Sequence, residues 1–273
     1  MKTVYCSMWL VLGLLLSAAS VYGAQWHATQ GDIALLHHEA ADSVTVFGKQ
    51  WPLRAAADGG VVAFVGVDIA QKAEIYPVVW RGGAGESLDH LVVDRGSFPI
   101  SKITVDRAMA QFDSKQLQMI RRDQRLLRES YGQHVDIDAD FHFISRPVAG
   151  VVSTPLGARR IVNGEPRSPH SGIDIAAAAG TEVHLPAAGV VLLTAAMYLN
   201  GNSVVVGHGD GLVEIFSHLR TIAVRQGEHL MAGAVIGEVG ATGRATGPHL
   251  HWGVRFAGAR VSPQALLAAE ERR

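Results

Sequence analysis

The chain of 273 residues has a single cysteine, Cys6. It lies ahead of an apolar run near the N-terminus, the wrong place for a lipoprotein attachment site. The rest of the chain can therefore form no disulfide and can offer no thiolate to a metal. The formal net charge is −1, which removes the electrostatic case for nucleic acid, whose phosphates demand a basic surface. From Gly150 to Arg273 there is no lysine at all, so no group can be carried there on a lysine at a hairpin tip. No internal repeat is visible. The apolar run itself, Met8 to Leu16, is short for roughly 30 Å of hydrocarbon.

What is present begins with a targeting pattern. Lys2, the apolar run and the small residues Ser17 to Ser20 read as a signal peptide over residues 1–23, cleaved after Gly23. A retained anchor is the alternative. Export to the periplasm or beyond follows, with no stable membrane span expected after cleavage. The hydrophobic fraction of 48% supports packed cores, and the length allows two domains.

Residues 24–105 alternate short β-branched and apolar runs, such as Ile33–Leu36, Val44–Phe47, Val61–Val65, Ile75–Trp80 and Ile100–Val105, with turns at Asp58-Gly59-Gly60 and Arg81-Gly82-Gly83. This predicts a small antiparallel β-sandwich. Residues 106–145 form a connector whose first part, Asp106 to Tyr131, is helical. Met109, Phe112, Leu117, Ile120 and Leu127 line its stripe, Gln116 and Gln124 interrupt it, and Gly132 stops it. Arg121, Arg125 and Arg128 at i, i+4 and i+7 read as a solvated face paired with Asp123 and Glu129. Residues 146–273 return to strands separated by glycine turns, with a short terminal helix after Pro263. The fold class is mainly β: an antiparallel β catalytic domain with a metal groove, preceded by the sandwich and the helical connector.

The chemistry is concentrated in that last region. Three short motifs, His170-Ser171-Gly172-Ile173-Asp174, Phe216-Ser217-His218-Leu219 and Gly247-Pro248-His249-Leu250-His251-Trp252, supply five candidate metal ligands and proton carriers. Residues i and i+2 of a strand share a face, so His249 and His251 point together while Leu250 faces the other way. Asp174 sits between Ile173 and Ile175 in the same alternation. Two imidazoles and one carboxylate would leave a zinc ion positively charged with a fourth position open to water, as hydrolysis requires. His208, at a glycine-rich turn, reads as a structural hydrogen-bonding residue. His37 and His38 are adjacent and face opposite sides of a strand, so they cannot pair as ligands.

From about Gly150 to Leu267 these motifs, together with Gly157-Ala158-Arg159-Arg160, Asn163-Gly164 and Gly243-Arg244-Ala245-Thr246, resemble the LytM-type (lysostaphin-like) zinc metalloendopeptidases of peptidoglycan. The N-terminal strands resemble the immunoglobulin-like domains that precede some of them. The resemblance implies that His170, Asp174 and His251 hold Zn2+ and that His218 and His249 serve the reaction. It implies a peptidoglycan cross-link as substrate, with a D,D-endopeptidase favoured over a glycine-bridge specificity. The middle motif often carries Tyr two residues before its His, and this chain has Phe216 there.

Two other classes share features with this sequence. Relatives of this fold that have lost ligands act as non-catalytic activators or binding modules for other wall hydrolases, but all five site residues are present here. Leu185–Val191 and Val224–His229 resemble biotinyl or lipoyl carriers, which the missing lysine excludes. The sandwich, placed ahead of a hydrolase that could damage its own cell, suggests a restraint on the groove. A protein regulator, if there is one, cannot be read from the sequence.

Overall fold

The computed structural model describes residues 23–57, 59–104, 111–137 and 146–271. The expected signal peptide up to residue 22 lies outside the described residues, and so does the stretch in which the connector helix was expected to begin. Among the described residues no helix is long and apolar enough to cross a membrane.

The N-terminal strands build two sheets. One has the order β1–β8–β7–β3–β4, from β1 (Gln25–Thr29), β3 (Ser43–Val46), β4 (Lys49–Trp51), β7 (Ile75–Gly82) and β8 (Gly85–Asp94). The other has the order β2–β6–β5, from β2 (Ile33–His38), β5 (Arg54–Ala55) and β6 (Val61–Gly66). Alternate residues of both, including Leu36, Val44, Ala63, Val65, Val78, Trp80 and Leu91, are buried in one core, the arrangement of a sandwich. It is not wholly antiparallel, because β1 runs parallel to β8. β1 turns at Gly31 (φ 87°) into β2 of the other sheet, so no hairpin sets its direction.

β9 (Ile100–Ile103), counted with the sandwich from its sequence, pairs instead in parallel with β11 (Arg159–Val162), which also pairs with β12 (Glu165–Pro166). The main C-terminal sheet is antiparallel. Its order is β10 (Val151–Thr154), β13 (Ile173–Ala176), β21 (His249–Phe256), β17 (Leu212–Leu219), β16 (Gly201–Gly207), β15 (Gly189–Met197) and β19 (His229–Leu230). β22 (Ala259–Val261) folds back on β21. β14 (Glu182–His184), β18 (Thr221–Ile222) and β20 (Val235–Glu238) form a small sheet of order β14–β20–β18.

The two faces of the main sheet are used differently. Ile173, Ile175, Leu250, Trp252, Val254 and Phe256 join a core continuous with that of the sandwich, and the rings of Trp51 and Phe256 meet at 5.7 Å. Across the same junction Arg260 makes two bonds to the Asp68 carboxylate at 2.7 and 3.0 Å, Arg54 pairs with Asp210, and Ser262 donates its N–H to Gly31 O at 2.7 Å. On the opposite face Leu193, Met197, Val205, Val213 and Ile215 are covered by Leu126, Leu127 and Tyr131 of helix α1 (Ser114–Tyr131). Helix α2 (Pro263–Glu271) closes the described chain.

The first turn of α1 is set by a capping box. The Asp113 side chain accepts from Gln116 N, and the Gln116 side chain accepts from Asp113 N. Gln116, which interrupts the apolar stripe, is therefore the N3 partner of the cap, and residues 111–113 are not helical. Asp123 also departs from expectation. Only 4% exposed, it lies beneath the helix, accepts Tyr198 N at 2.7 Å and takes Arg122 as its ion pair. Arg125 and Glu129 approach to 3.9 Å on the solvated side.

Candidate metal centre

β13 and β21 pair so that Asp174 stands opposite His251, and β17 places Ser217 on the other side of His251. The core-facing alternation of Ile173, Ile175, Leu250 and Trp252 turns Asp174, His249 and His251 to the other face, as the spacing predicts. His170 arrives from the loop before β13. Its N–H donates to Ala158 O at 3.0 Å, and its carbonyl accepts Gly157 N at 2.8 Å. Gly172 lets that loop lie against β21, since a Cβ there would meet Trp252 O at 2.4 Å.

Three atoms converge: His170 Nε2, Asp174 Oδ1 and His251 Nδ1, each 2.9 Å from the other two. Donor atoms at zinc bond lengths in a tetrahedron stand ~3.3 Å apart, so a small outward shift admits an ion. His170 Nδ1 is 3.1 Å from Pro155 O. A carbonyl can only accept, so Nδ1 carries the proton and Nε2 presents its lone pair to the centre, the outer-sphere arrangement that metal-binding histidines use. Burial pushes the Asp174 carboxyl up, but the His170 and His251 imidazoles, each 2.9 Å away, outweigh it and hold the group well below the usual carboxylate range. Burial lowers His251 below the ordinary imidazole value, against the pull of Asp174. A neutral imidazole beside an ionised carboxylate is a ligand set ready for a cation. Among the described residues no other trio of His, Cys, Asp or Glu is brought together in this way.

His218 and His249 flank the centre, with ring centroids 4.7 Å apart. His218, the last residue but one of β17, lies in the left-handed region (φ 64°), a conformation that costs a non-glycine residue energy and tends to persist where function requires it. It is held by its own N–H to Asn200 O at 2.8 Å and by Nδ1 to Thr242 O at 2.8 Å. Thr242 is fixed in turn by its hydroxyl, which donates to Leu219 O at 2.7 Å and accepts Asn202 N at 2.9 Å. Burial pushes the His218 imidazole down to about 4, with the Thr242 carbonyl opposing and the neighbouring histidines reinforcing. His249 Nδ1 lies 2.9 Å from Gly247 O. Both rings therefore leave Nε2 available.

These side chains line a groove of about 720 Å³, together with Ser153, Asn200, Arg244 and Thr246 and with Pro99 and Ile100 at the start of β9. Phe216 is not among the lining residues. It is fully buried in the core, so a hydroxyl added there would not face the groove. His208 is fully buried as well, with Nδ1 2.8 Å from Ala188 O and Nε2 3.2 Å from Glu214. Sequence reading missed Thr242, Asn200, Pro99 and Ile100, because a backbone carbonyl that orients a ring, or a strand that crosses between domains, leaves no mark in residue type. Asp123 did leave one: three residues after Ile120, it falls on the buried side of the helix.

Residues 168–263 match Peptidase family M23. This segment is a peptidase family M23 domain. The DD-carboxypeptidase/endopeptidase Mpg of Neisseria meningitidis serogroup B is 39% identical over 112 residues, covering 41% of this chain and 26% of that protein. Peptidoglycan DD-endopeptidase ShyA of Vibrio cholerae is 42% identical over 85 residues, covering 31% and 20%. The chain thus spans about a quarter or less of the length of these curated relatives. Over the whole architecture it is similar to a crystal structure assigned to peptidase M23 from Pseudomonas aeruginosa, with a TM-score of 0.70 at 29% identity, covering 88% of this chain and 95% of that one. The mainly antiparallel β fold expected of the sequence, and the peptidase resemblance of its C-terminal half, both hold. The M23 domain carries a metal site of the His-Asp-His type.

Proposed function

We propose that the chain is an exported zinc-dependent endopeptidase that hydrolyses peptide cross-links of peptidoglycan, acting as a D,D-endopeptidase. One observation carries this reading: three converging ligand atoms with two further histidines beside them in an open groove. The activities for which Mpg and ShyA are named support the bond and the polymer, and a polymer outside the cell membrane agrees with the N-terminal targeting pattern. Zinc is favoured because two nitrogens and one oxygen, with no thiolate and no further carboxylate, suit it better than the harder ions.

His170, Asp174 and His251 would hold the ion. When bound, zinc polarises the scissile carbonyl and acidifies the attacking water. The protein's own part is to handle protons and charge. His218, kept neutral by burial and tied by Nδ1 to Thr242, presents Nε2 as a base that can take a proton from water and return it to the leaving amine. His249, tied to Gly247, offers a second Nε2 that can share this transfer or donate to the developing oxyanion.

Purified sacculi digested with the protein, with the released muropeptides identified by mass spectrometry, test the proposal. Loss of cross-linked dimers, abolished by a chelator and restored by zinc, is expected. Dimers that survive digestion by the zinc-loaded protein would remove it.

A further inference from the structure

The groove has a wall that the matched domain does not own. The family match begins at residue 168, yet Pro99 and Ile100 line the groove beside His170 and Asp174. They are fixed there by ladder and side-chain contacts alike. Arg159 donates its N–H to Pro99 O at 2.9 Å, and β9 and β11 stay in register from Ile100 opposite Arg159 to Ile103 opposite Val162. Gly157, at φ 75°, leaves room for the Phe98 ring, which a Cβ at that position would strike at 2.2 Å. Gly157 and Ala158 are also the residues whose backbone holds His170. One short turn therefore grips the metal centre on one side and β9 on the other.

Around β9 the groove lining includes an apolar patch, made by Pro99, Ile100, Pro155 and Ala158. Ile100 is 58% exposed, a large aliphatic side chain left open to water at the edge of the site. Covering such a surface is favourable, and an extended peptide in the groove is placed to cover it. A glycine bridge offers no side chain for this purpose. A stem-to-stem cross-link offers the methyl groups of alanyl residues.

We propose that β9 is the apolar wall of the substrate groove and that Ile100 is a specificity-determining residue, favouring cross-links with an aliphatic side chain next to the scissile amide over glycyl ones. The inference rests on the endopeptidase reading above. The test uses the full-length zinc-loaded protein and two synthetic cross-linked peptides, alanyl and glycyl at the reacting position, with sacculi alongside. The wild type prefers the alanyl peptide. Ile100→Ala lowers kcat/KM on it about tenfold, through KM and with kcat within about twofold, and loses much less on the glycyl peptide. Ile100→Thr keeps the β-branched shape that suits a strand and repeats the measurement should the alanine variant unfold. An alanyl-to-glycyl ratio that Ile100→Ala leaves unchanged, in a protein whose wild type does cut sacculi, or a loss confined to kcat, overturns the wall alone. A wild type that cuts none of the three substrates overturns the endopeptidase reading, and the wall with it.

Discussion

Strands β7 and β17 show two ways of being a strand in one chain. In β7 buried residues such as Val78 and Trp80 alternate with exposed ones such as Ile75 and Arg81, so one face of the sandwich meets its core and the other meets water. All eight residues of β17 are buried, because the sandwich core covers one face of the main sheet while α1 and the metal groove share the other. Polar groups in the first setting can be left to solvent. In the second each needs a partner, and Glu214, Ser217, Asp174 and His251 have one: Trp252 Nε1 at 3.0 Å, Ser203 Oγ at 2.9 Å, and each other. The main sheet therefore retains polarity on both faces, at a cost in desolvation, and holds it by geometry.

The comparison is broken most completely at the sheet that is buried on both faces. His251→Ala removes one of three ligand atoms, so zinc stoichiometry should fall from near one per chain to near zero and wall hydrolysis to background, with zinc content read by atomic absorption. His218→Ala should separate binding from chemistry. Zinc stays bound, while kcat/KM drops by about 10²–10⁴, the usual contribution of a positioned acid or base. Loss of zinc in the second variant, or retention in the first, would exchange their roles.

A smaller effect is expected where the connector supports the groove. Asp123 is the buried acceptor of Tyr198 N, beside Leu199 and Asn200 of the groove lining. Asp123→Ala leaves that N–H without its partner and should cost about 1–3 kcal/mol in urea unfolding. Asp123→Asn keeps an acceptor oxygen and should recover most of this. Equal losses for the two would mean that charge, rather than the hydrogen bond, holds the loop.

The parts of the molecule that could be read in advance are those written in short-range periodicity. The two-residue alternation through Ile173-Asp174-Ile175 and through His249-Leu250-His251 told which side chains share a face, and the structure sets them there. Gly132 marked the end of α1, and the turn residues separated the sandwich strands. What escaped depends on partners far apart in sequence. The place of β9 is decided by β11, some sixty residues later, and nothing within Ile100–Ile103 distinguishes an edge strand of the sandwich from a strand of the groove. The start of α1 is decided by a side-chain exchange between Asp113 and Gln116, which an apolar stripe cannot register. The left-handed turn at His218 belongs to the same class, because its stability comes from Asn200 and Thr242 rather than from its neighbours.

The smallest effect belongs to the junction between the two regions, where Asp68 receives Arg260 through both carboxylate oxygens in a partly buried setting. Burial pushes the Asp68 carboxyl up, but the Arg260 bonds and the backbone N–H groups of Arg260 and Ala70 outweigh it, so its folded pKa lies below the ordinary value. The sign follows: stability from the pair is complete above the unfolded pKa of about 3.9 and is lost as pH falls through the lower folded value. Asp68→Asn should therefore cost up to about 1 kcal/mol at pH 7, and the gap between variant and wild type should close as the pH is taken well below 4. Unfolding followed by urea at a series of pH values measures that gap. A gap that stays constant down to pH 2 would show that Asp68 acts through the shape of the loop it caps, and that the sandwich is held to the main sheet by the Trp51–Phe256 core without help from this pair.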